Sequence, residues 1–230
     1  MKKIPRNVVI LGLVSFFNDL SAEMIYPIIP IFLTSVLKTS IPMLGIIEGI
    51  AEATAALGKY FFGTLSDYFQ KRKIFVVTGY GLSAVSKLLI GLSTGWPAVL
   101  LARLIDRSGK GIRTAPRDSM LLENTNSGNR GFIFGFHRAL DSSGAVAGPI
   151  LGLVSLYLLK EDMRLVFFIA LIPSVIAVIL LIMTVKEKII SNFSEKKHFV
   201  KIRLKNIDPG LKVFFVASFV FSLGNSSDAF

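Results

Sequence analysis

Residues 165–185 read LVFFIALIPSVIAVILLIMTV, a run of 21 residues without a charged side chain. As an α-helix, this run is about 30 Å long, which matches the hydrocarbon core of a bilayer. A helix of this length in a soluble protein would need a polar face, and this run has none. The run therefore predicts a transmembrane helix.

The composition of the whole chain is typical of a membrane protein. Hydrophobic residues make up 52% of the 230 positions, charged residues only 18%, and the mean hydropathy is +0.63. Cysteine is absent, which excludes a disulfide framework and thiolate chemistry. The N-terminus has the charge and hydrophobicity of a signal peptide, but Asn18 and Asp19 interrupt its apolar run. We therefore expect a first transmembrane helix there.

Seven apolar segments are separated by turn-forming or charged residues. They cover residues 8–36, 43–65, 74–94, 98–121, 131–158, 165–185 and 211–230. Pro27 and Pro30 predict a kink or an early end in the first segment. We expect an all-α membrane protein with a six-helix bundle over 1–185, a basic cytoplasmic linker over 186–209 and a truncated seventh helix over 210–230. Ser15, Asn18 and Ser21 in the first segment match Ser222, Asn225 and Asp228 in the seventh in their spacing of three, which indicates that a second bundle begins there.

Lysine and arginine are distributed unequally between the two sides of this predicted bundle. The side that holds the first, third and fifth connections carries Lys38, Lys160 and Arg164. The N-terminus and alternate connections carry Lys2, Lys3, Arg6, Lys71, Arg72, Lys73, Arg130, Lys186, Lys188, Lys196, Lys197, Lys201, Arg203 and Lys205. This bias predicts a cytoplasmic N-terminus in a cell membrane. It also accounts for the net charge of +11 without a nucleic-acid partner.

Several charged residues fall inside the predicted spans. A charge at mid-bilayer costs at least about 2.5–3.5 kcal/mol, so each one is expected to face protein or water. Residues four apart share a helical face. The charges outside the fourth span are Asp19 and Glu23 in span one, Glu48, Glu52 and Lys59 in span two, Lys87 in span three, and His137, Arg138 and Asp141 in span five.

The fourth span contains LIDRSGKGIRTAPRD, residues 104–118. At about 100° per residue, its charges and Arg103 occupy an arc of about 140°, whereas apolar or small residues occupy the opposite side. This pattern predicts a helix with one face on a polar cavity. A phosphate-binding loop is excluded because the glycines around Lys110 lack the spacing that such a loop needs.

Two other interpretations of these charges were weighed. A catalytic pair of His137 and Asp141 has no serine nucleophile or metal-ligand set beside it, so we expect neither an enzyme nor a cofactor or metal site. A static ion-pair network describes some of the charges, such as Lys59, Arg117 and Asp118. It does not account for all of them, because buried ion pairs seldom stabilise a protein more than apolar packing does.

Residues 63–73, GTLSDYFQKRK, resemble a signature of the major facilitator superfamily, G-x-L-a-D-r-x-G-r-k. The positions that conform are Gly63, Leu65, Asp67, Lys71 and Arg72, whereas Tyr68 and Gln70 replace the usual Arg and Gly. The resemblance implies a gating element on the cytoplasmic side. The residue types themselves predict a close helix approach at Gly63 and an Asp67 that caps or pairs with a neighbouring helix end.

Two further patterns are similar to motifs of the same superfamily. The R-x-x-q-G pattern falls on Arg103, with Asp106 and Arg107 at the Gln and Gly positions, and it implies a role for the arginine in proton coupling. The g-x-x-x-G-P-x-x-G pattern of antiporters falls on Gly144, Gly148, Pro149 and Gly152. Small residues four apart also predict close helix packing, and the proline predicts a bend.

The resemblance implies a secondary transporter that alternates access to a central site between two six-helix halves. We expect a proton-coupled exporter whose partners are the lipid bilayer, a small-molecule substrate, protons and a missing C-terminal half. The expected proton or cation carriers are Asp19, Glu23, Glu48, Glu52, Asp106 and Asp141. The expected groups that bind an anion or modulate these carboxylates are Arg103, Arg107, Lys110 and Arg138, and Asn18 and His137 complete the pathway.

Two alternatives remain open. The basic stripe on the fourth span favours a symporter that imports an organic anion. The early end of the chain favours a truncated scaffold that does not transport. The sequence does not indicate the substrate.

Overall fold

The computed structural model describes residues 4–126 and 128–185, together with positions 210, 213, 214 and 216–218. The linker predicted over 186–209 and the rest of the span predicted over 210–230 lie outside the described residues. The elements are α1 (Arg6–Ile25), α2 (Ile28–Ile31), a π-helical segment (Phe32–Val36), α3 (Ile41–Phe69), α4 (Arg72–Leu92), α5 (Trp96–Leu122), α6 (Arg130–Leu158) and α7 (Met163–Thr184).

The six spans predicted between residues 8 and 185 each coincide with a helix or a continuous helical stretch, and their ends agree within about four residues. In the described part, five stretches are long and apolar enough to cross a membrane: Arg6–Val36, α3, α4, α6 and α7. The chain is therefore a multi-pass membrane protein. Helix α5 is also long enough, at about 40 Å, but its seven charged side chains make it too polar for the same criterion.

The ends of the helices follow from local sequence. Pro27 interrupts the first span, where α1 ends at Ile25 and α2 begins at Ile28, as the sequence predicts. Helix α3 ends at Gln70, whose φ of 56° lets the chain turn directly into α4. Helix α7 begins at Asp162, whose carboxylate accepts hydrogen bonds of 3.0 and 3.2 Å from the first free N–H groups.

The helices pack as two groups joined at one seam. Helix α1 packs on α6 and α7, helix α5 packs on α3 and α4, and α4 meets α7 between the groups. Helix α5 touches α1 and α6 only sparsely. This arrangement leaves an open region along the charged helix α5.

A polar layer lies between two apolar clusters along the bundle. One cluster includes Val8, Tyr80 and Leu181, and the other includes Met24 and Phe167. On α1, α4 and α7 the buried polar residues fall between these clusters in sequence: Ser15, Asn18, Ser21, Ser83, Ser86, Lys87 and Ser174. The apolar clusters therefore hold the bundle at two levels, and the charges concentrate between them.

Glycines allow the closest helix contacts. A Cβ atom on Gly148 of α6 would lie only 2.7 Å from the carbonyl oxygen of Leu20 on α1, and Gly144 and Gly152 contact the α1 backbone in the same way. On α5, a Cβ on Gly111 would lie 2.9 Å from the Cα of Gly58 on α3. These contacts agree with the close packing that the spacing of the α6 glycines predicts.

Candidate functional site

A cavity of about 420 Å³ lies beside α1, α5 and α6, with Lys59 of α3 also in its lining. Its acidic lining residues are Asp19, Glu23, Asp106 and Asp141. Its basic lining residues are Lys59, Arg107, Lys110, Arg113, Arg117 and Arg138. The polar face predicted for the fourth span therefore borders a polar cavity.

The structure brings together seven of the residues that the sequence predicts for the pathway. These residues are Asp19, Glu23, Asp106, Arg107, Lys110, Arg138 and Asp141. Five others do not line the cavity: Asn18, Glu48, Glu52, Arg103 and His137. They contribute, where they contribute at all, through the residues that they contact.

Arg103 points away from the cavity. It is 3% exposed, and its guanidinium contacts the carboxylate of Glu48 on α3. Its other terminal nitrogen lies 4.0 Å from Asp106, one turn along α5. This position, which the superfamily resemblance associates with proton coupling, thus forms a buried link between α3 and α5.

Lys87 is the fully buried cation of α4, with 1% of its surface exposed. Its ammonium group donates to the backbone carbonyl of Ser83 at 2.8 Å and lies 3.7 Å from a carboxylate oxygen of Asp106. Asp106 therefore borders the cavity but is held by cations on two helices. A carboxylate in such surroundings keeps its charge compensated without solvent.

Two arginines on the C-terminal half of α5 are held by groups on other helices. Arg113 donates to the hydroxyl of Ser83 at 2.6 Å, and its guanidinium lies 4.5 Å from the centre of the Tyr80 ring. Arg117 lies 3.0 Å from the carboxylate of Asp118 and donates to the hydroxyl of Ser15 at 3.2 Å. The ion pair expected for Arg117 is thus present, and the same side chain also lines the cavity.

Lys59 does not fit the static ion-pair interpretation. Among the residues that the structure describes, no carboxylate lies within 4 Å of its ammonium group. The side chain instead lines the cavity beside α5. The expectation that Lys59 belongs to a fixed pair is therefore wrong, because its side chain lines the cavity rather than contacting a carboxylate.

Asp141 of α6 is well compensated. It accepts a hydrogen bond of 2.5 Å from the Ser15 hydroxyl, and it lies 3.0 Å from Arg138 and 4.0 Å from Arg117. Asp19 of α1 interacts directly with Asp141, so the two carboxyl groups meet across the α1–α6 contact. Asp19 and Asp141 are 122 residues apart in the sequence.

The two carboxylates of α1 differ from the other acids in the cavity. Asp19 accepts a hydrogen bond of 3.2 Å from the Asn18 side chain, but no basic group lies within 4 Å of it in the described part of the chain. Glu23, one turn further along, likewise has no ion pair among residues 4–126 and 128–185. Asp19 and Glu23 are thus the acids of the lining that have no cation within 4 Å in the described structure.

His137 and Asp141 share a face of α6, as their spacing predicts, but they form no hydrogen bond in the described structure. His137 is 4% exposed, and its Nε2 atom has no hydrogen-bond partner within the described residues. A catalytic pairing of these two groups is therefore not supported.

The residues of the predicted gating motif lie around the turn between α3 and α4. Asp67 lies 3.4 Å from Arg72 at the start of α4, and Arg72 also contacts Glu123 at the end of α5. A Cβ on Gly63 would lie 3.1 Å from that of Ala115 on α5. Lys71 is exposed at the start of α4, and Leu65 is half-buried on α3. Sequence reasoning missed Glu123, whose position at the end of a charged helix is its only signal.

Lys59, Arg113 and Arg117 are the basic lining residues that the predicted pathway did not include. The sequence feature that could have identified Lys59 is its position beside a glycine. Lys59 follows Gly58, and Lys110 precedes Gly111. Since these glycines bring α3 and α5 into backbone contact, their neighbours come close together. That contact becomes evident only once the two helices are paired.

The sequence was compared with protein families and with curated proteins. The model of the Major Facilitator Superfamily matches residues 11–229. An uncharacterized MFS-type transporter of Methanocaldococcus jannaschii is 38% identical over 229 residues, which cover all of this chain and 56% of that protein. An uncharacterized protein of Mycobacterium tuberculosis is 30% identical over 146 residues, covering 63% of this chain and 35% of that protein. The chain thus spans about half the length, or less, of these relatives.

Two solved structures are similar in fold. A bacterial homolog of the human lysosomal transporter Spinster, in an inward-facing and occupied conformation, matches 81% of this chain and 46% of its own with a TM-score of 0.64 and 20% identity. A human organic anion transporter matches 77% of this chain and 47% of its own with a TM-score of 0.58 and 18% identity. At these identities the likeness concerns the fold.

Proposed function

This chain belongs to the Major Facilitator Superfamily, and from that premise we propose that it forms one six-helix half of a proton-coupled exporter of small molecules. A second half would supply the opposite wall of the cavity, and the two halves would alternate access to it by rocking against each other. The proposed location is the cell membrane, with the N-terminus in the cytoplasm, as the distribution of lysine and arginine favours.

The observation that carries the proposal is the contact between Asp19 and Asp141 at the cavity. Two carboxylates in contact repel each other unless one of them holds a proton. Asp141 has Arg138, Arg117 and a short hydrogen bond from Ser15 to stabilise its charge. Among the described residues Asp19 accepts a hydrogen bond from the Asn18 amide and has no cation within 4 Å, so it is the member of the pair that binds and releases the proton.

Glu23 extends this proton site along α1. It follows Asp19 by one helical turn, lines the same cavity and has no ion pair in the described residues. A proton on Asp19 therefore has a second carboxylate within the cavity, also without a cation within 4 Å in the described structure, to which it can pass. This α1 pair is narrower than the set of six carriers expected from the sequence.

The remaining acids act as structural charges in this proposal. Glu48 is held by Arg103, and Glu52 lies 3.0 Å from Arg107. Asp106 is held between Lys87 and Arg103. Because a neighbouring cation keeps such an acid deprotonated, its ionisation is not coupled to substrate binding.

Everted membrane vesicles that contain the full-length protein, with its second half, test this assignment. A compound carried in exchange for protons collapses an imposed pH gradient, which a fluorescent amine reports. Compounds from a panel of metabolites and toxic small molecules that elicit this response with the wild type should elicit none with Asp19→Asn. Glu161→Gln removes an exposed carboxylate outside the cavity and should behave as the wild type. Wild-type proton movement in the Asp19→Asn protein contradicts the proposal.

A symporter that imports an organic anion is the second candidate. The lining carries six basic residues and four acidic ones, which favours a substrate of negative charge. The two candidates differ in direction: with an inward proton gradient, a symporter accumulates substrate in intact cells, whereas an exporter depletes it. Measuring the cellular content of a responsive compound with and without the gradient separates them.

A further inference from the structure

Helices α3 and α5 come into backbone contact beside the cavity. A Cβ on Gly58 would lie 3.2 Å from the Cα of Gly111, and a Cβ on Gly111 would lie 2.9 Å from the Cα of Gly58. Lys59 and Lys110 are the chain neighbours of these glycines, and both line the cavity. The contact thus places both lysines in the lining of the same cavity, on two helices that touch.

Arg107 adds a third positive charge one helical turn from Lys110. One of its terminal nitrogens lies 3.0 Å from Glu52, whose side chain is 57% exposed. Its Nε atom is buried and has no hydrogen-bond partner among the residues that the structure describes. The Arg107 side chain lines the cavity, and Glu52 is the carboxylate within 4 Å of it among the described residues.

Two of the three cations, Lys59 and Lys110, are less compensated than Arg107, Arg117 and Arg138. Within residues 4–126 and 128–185, no carboxylate lies within 4 Å of Lys59 or Lys110, and neither ammonium group makes a hydrogen bond. By contrast, Arg117 and Arg138 both lie within 4.0 Å of Asp141. Unpaired positive charge is thus concentrated on the α3–α5 side.

Two carboxylates face this cluster from other positions. Glu52 contacts Arg107, and Glu23 on α1 interacts with Arg107 and Lys110 across the cavity. Neither reaches within 4 Å of Lys110 in the described structure. The cavity, at about 420 Å³, has room for a small metabolite between them.

We infer that Lys59, Arg107 and Lys110 form an oxyanion subsite, which binds a carboxylate or phosphate group of the transported molecule. Ammonium and guanidinium groups recognise both kinds of oxyanion by charge-assisted hydrogen bonds. The inference rests on the proposed transport function and names its substrate class. It places the anionic group on α3 and α5, apart from the proton site on α1.

Thermal unfolding of the purified protein in detergent tests the subsite. The probes are inorganic phosphate and succinate, each compared with sodium chloride at the same ionic strength. A ligand that binds the folded state raises the midpoint of unfolding in proportion to the logarithm of its concentration. We expect such a rise with at least one of the two anions: phosphate alone indicates a phosphate group, and succinate alone a carboxylate.

Four lysine variants make the result specific. Lys110→Met should weaken the apparent affinity for the anion by about tenfold or more, whereas Lys110→Arg should retain it. Lys38→Met removes the same charge at an exposed position outside the cavity and should bind as the wild type. If Lys110→Met does not fold, Lys59→Met replaces it, because that side chain is exposed and its loss leaves no charge unpaired.

The subsite is overturned if neither anion raises the midpoint of unfolding of the wild type. It is also overturned if the midpoint rises as much in the Lys110→Met and Lys59→Met proteins as in the wild type. The assay needs no proton gradient, so it is independent of coupling. An anion-dependent rise that persists in Asp19→Asn supports the subsite even if the vesicle experiment shows no proton exchange. Proton exchange without any anion-dependent rise would leave the coupling proposal standing and remove the subsite.

Discussion

At the scale of single residues, buried charges are held by partners from other helices rather than by solvent. Lys87 lies in α4, and its partners are a carboxylate on α5 and a backbone carbonyl one turn back on its own helix. Breaking such a pair leaves one charge uncompensated in a medium of low dielectric constant. Single substitutions in this network are therefore expected to cost more than the removal of both charges.

A double-mutant cycle on Lys87 and Asp106 checks this expectation. Lys87→Met and Asp106→Asn should each lower the free energy of unfolding by about 3 kcal/mol, because each strands its partner. The double variant should be more stable than the sum of the two single effects predicts. Denaturant-induced unfolding in detergent micelles gives the three values. Strictly additive effects would show that the two charges are not coupled.

Gln70 shows the effect of backbone conformation at one position. Its φ of 56° is the left-handed region, where a side chain other than glycine is strained, and the superfamily signature has glycine at this position. Gln70→Val should lower the free energy of unfolding by about 1 kcal/mol or more, since β-branched residues fit this region worst. Gln70→Gly should be at least as stable as the wild type. Thermal unfolding midpoints measure both, and a Val variant as stable as the Gly variant would refute the prediction.

At the scale of the helices, small residues decide which pairs approach most closely. On α6 the glycines at 144, 148 and 152 lie against the backbone of α1, and this contact brings Asp19 to Asp141. On α5, Gly109 lies against α4 and Gly111 against α3. The polar helix α5 is therefore packed between α3 and α4, and its third side borders the cavity.

Two glycine-to-alanine substitutions on α6 form a matched pair. A methyl group at Gly148 would lie 2.7 Å from the Leu20 carbonyl oxygen, so Gly148→Ala should lower the free energy of unfolding by about 1–3 kcal/mol. At Gly135 nothing in the described structure lies within 4 Å of an added methyl group. Gly135→Ala should therefore stabilise the helix by about 0.5–1 kcal/mol. Unfolding in detergent compares the two, and equal effects would argue against the α1–α6 contact.

At the scale of the whole molecule, the bundle concentrates charge between two apolar clusters and leaves it open along one side of α5. Its proposed orientation in the membrane rests on the basic residues of the connections. Asn126 lies in the connection between α5 and α6, on the proposed cytoplasmic side, and Lys160 lies in the connection between α6 and α7, on the opposite side.

Cysteine labelling tests this orientation on a clean background, because the chain has no cysteine of its own. In intact cells, a membrane-impermeant maleimide should label Lys160→Cys but not Asn126→Cys. After permeabilisation both should react, which controls for accessibility, since both positions are exposed. The opposite pattern would place the N-terminus outside.

Much of the fold could be predicted from the sequence, because hydrophobicity acts on each segment separately. The bounds of α5 and α6 lie within two residues of those expected. The single charged face of α5 also follows from helix geometry alone. The partners of individual charges do not follow from helix geometry: Arg103 is buried against Glu48, which is 55 residues away in the chain.

The sequence alone therefore determined that this is a helical membrane protein of the Major Facilitator Superfamily, with a span carrying charges on one face. The tertiary structure decided which of those charges are paired and which remain free to act. Ion pairing depends on the approach of helices that are distant in sequence, and no local pattern encodes that distance. Glycines at the α1–α6 and α3–α5 contacts set it, so Asp19 meets Asp141 while Lys59 and Lys110 stay unpaired in the described structure.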